Sequence, residues 1–566
     1  MIRRKLQEIV SKAAGRTADI LMPPDAKLGD YSTNIAFVLA KEQGKKPAEV
    51  AEQIKSQIEP GLADTCDIKA LSNGYLNFFL KPGFLQNQLS EISKDDRYGQ
   101  SDEGKGKTII VEYSSPNIAK PMHIGHLRST IIGDALANIY EALGYKTIRW
   151  NYIGDWGTQF GKVLAGYKKW GPSAGSGQAL EDVTMADMLD WYVRAGKDLP
   201  EEEGQKEFKK LEEGDAENKE LWKKFRDVSL REIKTTYQIL EIHDFDVYKG
   251  ESDYDPQLGS LIEELERAGK IKESEGALIF DLDKYNLPLG LLRKSDRATL
   301  YLTRDLASMK DRLKEYNPDT LMYVVANQQA LHFEQLFAIA HDLKINTAYL
   351  VHVKFGMVLG EDGKKLATRE GKVVPLQDVI EKITALAGTV VKQKNPELDE
   401  RQVHDISHVV GIGALKYNDL KQHPYSDIAF DWKAMLDLSG NSGPYLQYTY
   451  SRLVSILKKS EILNTKSETN PENLKLLTEP TERALMKQLL DFPDAIAKCA
   501  EFYTLNALAL YLYDLSATAN QFYELVHVLD DDNAARKVAR LTLISTVART
   551  LKQGLNLLGI QTLERI

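Results

Sequence analysis

Hydrophobic and polar positions change rhythm several times along the chain, and each change marks an element. "KPAEVAEQIKSQI" (46–58) places apolar residues at helical spacing, and "GYLNFFL" (74–80) has the pattern of a short strand. The polar, glycine-bearing "SDEGKGK" (101–107) separates these from a second, more apolar region. There "TIIVEYS" (108–114) is β-branched and apolar, which predicts a buried strand, and the loop "SPNIAKPM" comes next. From 126 to 143 the rhythm is helical: Leu127, Ile131, Ala135 and Ile139 recur every four residues, with Ile132, Leu136 and Leu143 beside them. Gly144 is placed to stop that helix, and "KTIRWNYI" (146–153) predicts a second strand. Strand, loop, helix, strand is the opening of a parallel, Rossmann-like sheet. "TLMYVVAN" (320–327) and "AYLVHVKFGMVL" (348–359) predict further strands of it.

Two stretches have another character. "WGPSAGSGQ" (170–178) reads as a flexible break, and residues 179 to about 245 are so highly charged that they read as solvated helices inserted between two halves of the sheet. Beyond about residue 400 the pattern is almost wholly amphipathic helix, and the chain contains no internal repeat.

Length changes this picture by demanding several cores, since 566 residues exceed what one core supports. The fold class expected is α/β: a Rossmann-like parallel-sheet domain preceded by an α+β domain and followed by an all-α helical bundle. The expected divisions are 1–105, then 106–390 with a helical insertion at about 170–285, linking helices at 391–440, and a bundle at 441–566. Apolar content of 43% and charged content of 27% are ordinary for a soluble protein, and no apolar run is long enough for a membrane span. "MIRRKLQEIVSKAAG" reads as an amphipathic helix rather than a secretion signal. Two distant cysteines, Cys66 and Cys499, exclude a cysteine-built zinc site and fit a cytoplasmic protein. The net charge of −9 weighs mildly against nonspecific nucleic-acid binding, though a local basic surface is enough for a specific one.

The candidate chemistry lies in "HIGH" (123–126), at the junction of loop and helix. His123 and His126 have three readings: metal ligands, core residues or phosphate donors. No nearby Cys, Asp or Glu completes a metal set, so no metal site is expected. Two histidines in a Pro- and Gly-bearing loop also fit a core poorly. Phosphate fits the position, because a helix N-terminus presents unpaired N–H groups and Gly125 leaves the backbone approachable. Two imidazoles there can donate hydrogen bonds to phosphate oxygens as charge builds.

"VEYSSPNIAKPMHIGHLRST" (111–130) resembles the signature of class I aminoacyl-tRNA synthetases, in the extended form of the arginyl-tRNA synthetases. "GDYSTNIAFVLAK" (29–41), "NYIGDWGTQFG" (151–161), "YLTRDLA" (301–307), "GNSGPYLQYTYSR" (440–452) and the C-terminal helices are similar to that family in the same order. "KKLATREG" (364–371) resembles the second class I signature in altered form: Lys365 matches its first lysine, and Thr368 stands where the second would be.

The resemblance implies an arginine–tRNA ligase: ATP, with Mg²⁺, activates L-arginine to an adenylate that passes to the 3′ end of tRNA(Arg). It implies His123, Gly125, His126 and Lys365 at ATP, with Lys120 supplying the cation that the altered loop lacks. It implies Glu112, Asn117, Tyr301, Asp305 and Gln329 at arginine, with Gln328 an alternative to Gln329. Gly154, Asp155, Trp156 and Gln159 are implied near the adenosine. Tyr445, Tyr448 and Arg452 are implied at tRNA, and Arg536, Lys537, Arg540, Arg549 and Lys552 as a local basic surface. A monomer that acts without a tightly bound cofactor or a membrane completes the expectation. Neither reaction step needs a protein nucleophile, so catalysis reduces to positioning and charge stabilisation.

Overall fold

The computed structural model describes every residue except 1, 119, 172–181, 296–299, 346, 361–362, 365–373 and 461–469. Lys365, Thr368 and most of the flexible break therefore lie outside the described residues.

The parallel sheet has five strands in the spatial order Tyr349–Phe355, Thr320–Ala326, Thr108–Glu112, Lys146–Ile153, Val247–Gly250. Numbered along the chain that order is 3-2-1-4-5 read from the Val247 edge. The chain leaves the central strand on one side first and returns to its other side later. The crevice between Thr108–Glu112 and Thr320–Ala326 is thus the topological switch point, where open α/β sheets bind ligands at their strands' carboxyl ends. Both strands are apolar and buried along most of their length, as a sheet covered on both faces requires. The helix Ile124–Ala142 covers one face and is buried nearly all round. It ends ahead of Gly144, whose φ of +84° is readily adopted only by glycine.

Between Ile153 and Val247 the chain forms the helices Thr158–Trp170, Met185–Asp198, Glu201–Glu213 and Ala216–Ile239. These are not merely solvated. Trp191, Phe208, Leu211 and Phe225 are buried, and the cluster around Trp156 meets Phe208 and Trp222 edge to face at 5.6 Å each. The composition is charged because one face of each helix is solvated; the other carries enough apolar residues to dock.

The N-terminal residues form a three-stranded antiparallel sheet (Tyr31–Thr33, Leu76–Leu80, Cys66–Ala70) with four flanking helices. C-terminal helices, among them Gly443–Lys459, Pro480–Phe502, Asn506–Leu525 and Ala534–Leu557, reach back to this unit. Arg483 grips the Asp30 carboxylate with both guanidinium nitrogens at 3.0 and 2.6 Å, and Tyr31 Oη donates to Asp491 at 2.7 Å.

Candidate active site

The two histidines close the N-terminus of their helix against itself. His123 is the N-cap residue, and its Nδ1 accepts from the Gly125 N–H at 3.0 Å. His126, three residues on, turns its own Nδ1 back to accept from the His123 N–H at 3.1 Å. This is a capping box built from imidazoles, satisfying donors that a helix start otherwise leaves free. The rings lie 3.9 Å apart at 31°. A Cβ at position 125 would lie 2.8 Å from the His123 ring, so glycine is required here for the ring to fold over the backbone.

The capping bonds also fix the chemistry. With each Nδ1 used as an acceptor, the neutral ring carries its proton on Nε2. Burial and the neighbouring His123 hold His126 far below the ordinary histidine range, at about 3. His126 is therefore a neutral N–H donor near pH 7, and both rings, accepting at Nδ1, present Nε2 toward phosphate oxygens. Neither offers a metal the lone pair it would need.

The preceding loop is held by hydroxyls. Ser114 and Ser115 have φ values of +68° and +43°, a strained conformation for residues with side chains. The Ser114 N–H donates to Ser129 Oγ at 2.9 Å, and Ser129 Oγ donates to the Val324 carbonyl at 2.6 Å. Ser114 Oγ also meets Tyr237 Oη at 2.7 Å. Central strand, histidine helix, neighbouring strand and insertion are thereby tied at one point. On the loop's far side, the Ile124 N–H donates to the Val374 carbonyl and the Leu376 N–H to the Met122 carbonyl, so the chain emerging from 365–373 is bound to the histidine segment. Asn117 is exposed and pairs with Gly154, where a Cβ would lie 2.1 Å from the Asn117 Oδ1.

The carboxylates are arranged differently from the simplest expectation. Glu112, at the end of the central strand, is buried and paired with the guanidinium of the chain's own Arg312. Arg312 is itself buried, lies 4.5 Å from the Trp150 ring centre and donates to Ser308 Oγ at 2.6 Å. Burial pushes the Glu112 carboxyl up while Arg312 pulls it back. Asp305 sits one turn into the helix that begins at Tyr301, and accepts from His332 Nε2 at 2.5 Å. Burial opposes protonation of His332, yet the bond to Asp305 lifts it above the ordinary histidine range.

A third carboxylate, Glu251, comes directly after the edge strand at its carboxyl end. It is 7% exposed, and its Oε2 has no hydrogen-bond partner among the described residues. Burial pushes it up to about 8, with Arg304 opposing and Asp305 and Asp155 adding to the rise. Tyr301, 63% exposed, lies within electrostatic reach of both Glu251 and Asp305. Sequence reasoning missed Glu251, His332 and Arg312. The signal for Glu251 was its position, directly after a parallel strand in "VYKGES". Gln328 and Gln329 are both exposed at the end of Thr320–Ala326, and the geometry does not separate them.

Asp155 is consumed structurally: it accepts from Ser252 N–H (2.9 Å), Ser252 Oγ (2.8 Å) and Arg226 Nε (2.8 Å). Trp156 is a packing residue. In the C-terminal helices, Tyr448 and Arg452 line a cleft of about 720 Å³ with Tyr523, His527, Arg565 and Ile566. The Arg452 guanidinium lies 4.9 Å from the Tyr448 ring centre and 4.8 Å from that of Tyr523. Tyr445 does not line the cleft; it meets Tyr513 at 5.7 Å and packs on the core. Most of the cations expected to form a basic surface pair with neighbouring groups. Arg536 and Arg540 pair with Asp531, Arg540 also pairs with Glu482, Lys537 donates to the Leu529 carbonyl, and Arg549 donates to the carbonyls of Ile92 and Ser93. Arg540 is buried in these contacts, whereas the Arg536 side chain stays 41% exposed and Lys552 is exposed.

Comparison with known proteins places this arrangement of histidine capping box and buried carboxylates among the class I aminoacyl-tRNA synthetases. Residues 88–432 match the catalytic domain of the class I tRNA synthetases (R), 446–566 the DALR anticodon binding domain and 1–80 the arginyl tRNA synthetase N terminal domain. The chain belongs to the arginyl-tRNA synthetase family. It is 40% identical to the arginine–tRNA ligase of Halothermothrix orenii, over 97% of this chain and 95% of that one. It is 39% identical to that of Clostridium botulinum, over 97% and 96%. Its fold is similar to the arginyl-tRNA synthetases of Plasmodium falciparum (TM-score 0.84, 28% identity, 100% and 99% covered) and Thermus thermophilus (TM-score 0.81, 26% identity, 100% of both).

Proposed function

We infer that the chain is an arginine–tRNA ligase. It activates L-arginine with ATP and passes arginine from the adenylate to the 3′ end of tRNA(Arg), releasing pyrophosphate and AMP. The observation that carries the reading is the pair of imidazoles, each accepting at Nδ1, at a helix N-terminus on the switch point.

In this reading the arginine carboxylate attacks the α-phosphorus, and the phosphoryl oxygens gain charge before the pyrophosphate leaves. His123 and His126 meet that charge with Nε2–H, aided by the helix N-terminus. Lys120 supplies the mobile cation, and Lys365 is assigned to ATP as well. Mg²⁺ arrives on the ATP phosphates as part of the substrate. Asp305 and Glu251 take the guanidinium, Tyr301 covers it, and Asn117 and Gln329 hold the amino-acid end. Glu112 acts through Arg312, fixing the wall of the pocket. The Tyr448–Arg452–Tyr523 cleft offers aromatic and guanidinium faces to an unpaired anticodon base, and the N-terminal unit meets the tRNA elbow. The protein acts as a cytoplasmic monomer, divided at about 105, 390 and 440.

The test is pyrophosphate exchange with arginine, with and without tRNA(Arg). Exchange should require the tRNA, because a loop with Thr368 in place of a lysine leaves the leaving group under-neutralised until the complex closes. Full exchange in tRNA-free enzyme overturns that requirement, and no exchange under any condition overturns the ligase reading.

Glu251 adds a stability effect. An ordinary carboxyl titrates near about 4.3 in the unfolded chain, whereas the buried one titrates at about 8. The folded state therefore keeps a proton that the unfolded state releases, and stability from this group falls as pH rises between those values. Glu251→Gln should remove that fall, so its Tm relative to wild type should rise steadily from pH 5 to pH 8. Parallel Tm curves would show that Glu251 is ionised in the empty pocket.

A further inference from the structure

The helical insertion meets the phosphate loop at Lys120 as well as at Ser114. Lys120 Nζ lies 4.1 Å from the centre of the Tyr192 ring, and Tyr192 belongs to the insertion helix Met185–Asp198. That helix is fixed from both ends of its first two turns. Thr184 and Asp187 cap it reciprocally at 2.9 and 3.2 Å, and Trp191, next to Tyr192, is wedged against Tyr167 at 5.3 Å and Phe225 at 6.0 Å. The insertion is in turn fastened to the sheet's carboxyl end, where Trp222 Nε1 donates to the Asp155 carbonyl at 2.8 Å and Arg226 binds the Asp155 carboxylate. The Tyr192 ring is thus a fixed object. Lys120 is the opposite: a long flexible stem on a loop between a strand and a helix.

We propose that Tyr192 is a positioning residue for Lys120: the insertion supplies an aromatic face that holds the loop ammonium ready for ATP phosphate. This rests on the reading of Lys120 as the phosphate cation. A ring is well suited to the task. Its quadrupole attracts an ammonium and restricts the stem's rotamers, so less freedom is lost when phosphate arrives. A carboxylate at the same place would compete with phosphate for the charge, whereas a ring gives the ammonium up to a stronger anionic partner. The insertion then contributes to catalysis through the Tyr192–Lys120 contact.

The experiment measures kcat and both KM values for tRNA-dependent adenylate formation by full-length enzyme, together with Tm. Tyr192→Leu should lower kcat by roughly 2- to 30-fold, the range of a cation–π contact, with KM for arginine little changed. Tyr192→Phe keeps the ring and should stay within about twofold of wild type. In a Lys120→Met background, Tyr192→Leu should have no further effect, because the partner it acts through is gone. If Tyr192→Leu folds poorly, phenylalanines carrying increasing numbers of ring fluorines at 192 keep the volume and weaken only the quadrupole, and kcat should fall along that series. Additive losses in the double variant, or a flat fluorine series, overturn the proposal. Wild-type turnover by Lys120→Met is a separate outcome: it removes Lys120 from the phosphate and the proposal with it.

Discussion

Asp305→Asn is expected to lower kcat/KM for arginine by roughly 10²- to 10³-fold, because truncating one side of a buried, hydrogen-bonded charge pair costs about 2–5 kcal/mol. The substitution keeps the side chain's size and removes its charge, so little of the loss should come from folding. Citrulline sharpens the expectation. It has arginine's shape but no charge, and it presents a carbonyl oxygen where the guanidinium presents a donor. Facing the Asp305 carboxylate, that oxygen meets an acceptor and leaves it unsatisfied. Asparagine can donate to it, so the gap between arginine and citrulline should narrow in the variant. Lysine keeps a charge but lacks the planar fork, and satisfies at most one carboxylate well.

Glu112→Gln should behave in a different way, and the contrast tests the arrangement. Glu112 neutralises buried Arg312. Removing its charge strands a guanidinium in the interior, a loss of about 3–5 kcal/mol in stability. The expected signature is a large drop in Tm, with arginine-to-citrulline selectivity kept in the folded fraction. Adenylate formation with arginine, lysine and citrulline, alongside thermal unfolding, separates the two cases. If Asp305→Asn retains wild-type arginine kinetics while Glu112→Gln loses selectivity, the roles are reversed and the guanidinium is read at the central strand.

Legibility in the sequence tracks the range of the interactions. Tyr301 and Asp305 are one turn apart on a single helix, so their shared face was legible, as was the histidine pair at a strand–helix junction. The partner of Glu112 was not: Arg312 lies 200 residues further on, and nothing local marks which arginine crosses the sheet. The same limit misread the C-terminal arginines. Arg536 and Arg540 sit on a cationic-looking stretch, but Asp531 and Glu482 come from a turn and another helix. Charge patterning along one helix shows where cations are, not whether another element neutralises them. Glu251 was passed over because a lone carboxylate in a charged region has no pattern. Only the strand order shows that it stands at a carboxyl end facing Asp305.

Substitution of either histidine should cost about 10²–10³ in kcat, the loss found when one preorganised donor to a developing oxyanion is removed. Alanine is a poor probe here, since each ring is also half of a capping box. His123→Ala would forfeit an N-cap contact, commonly about 0.5–2 kcal/mol of stability, and mix that loss with the catalytic one. The better variants keep the cap and replace the ring Nε2–H by an amide N–H displaced from its place. Asparagine is among the best N-cap residues, and its side-chain oxygen can accept from the Gly125 N–H as Nδ1 now does. Glutamine at the third helical position can turn back to the residue 123 N–H, as His126 does. His123→Asn and His126→Gln should therefore hold Tm near wild type and KM for arginine within a few-fold, while kcat collapses, since the lost contacts strengthen only as the phosphoryl group gains charge. The pH profile gives an independent check. With His126 neutral down to about 3, kcat at saturating arginine should show no titration of His126 between about pH 5.5 and 7. KM for arginine should fall as pH rises toward 8 and Glu251 ionises. A kcat that rises with protonation near pH 6.5, or variants that turn over at the wild-type rate with their caps intact, would mean that the rings only shape the helix end.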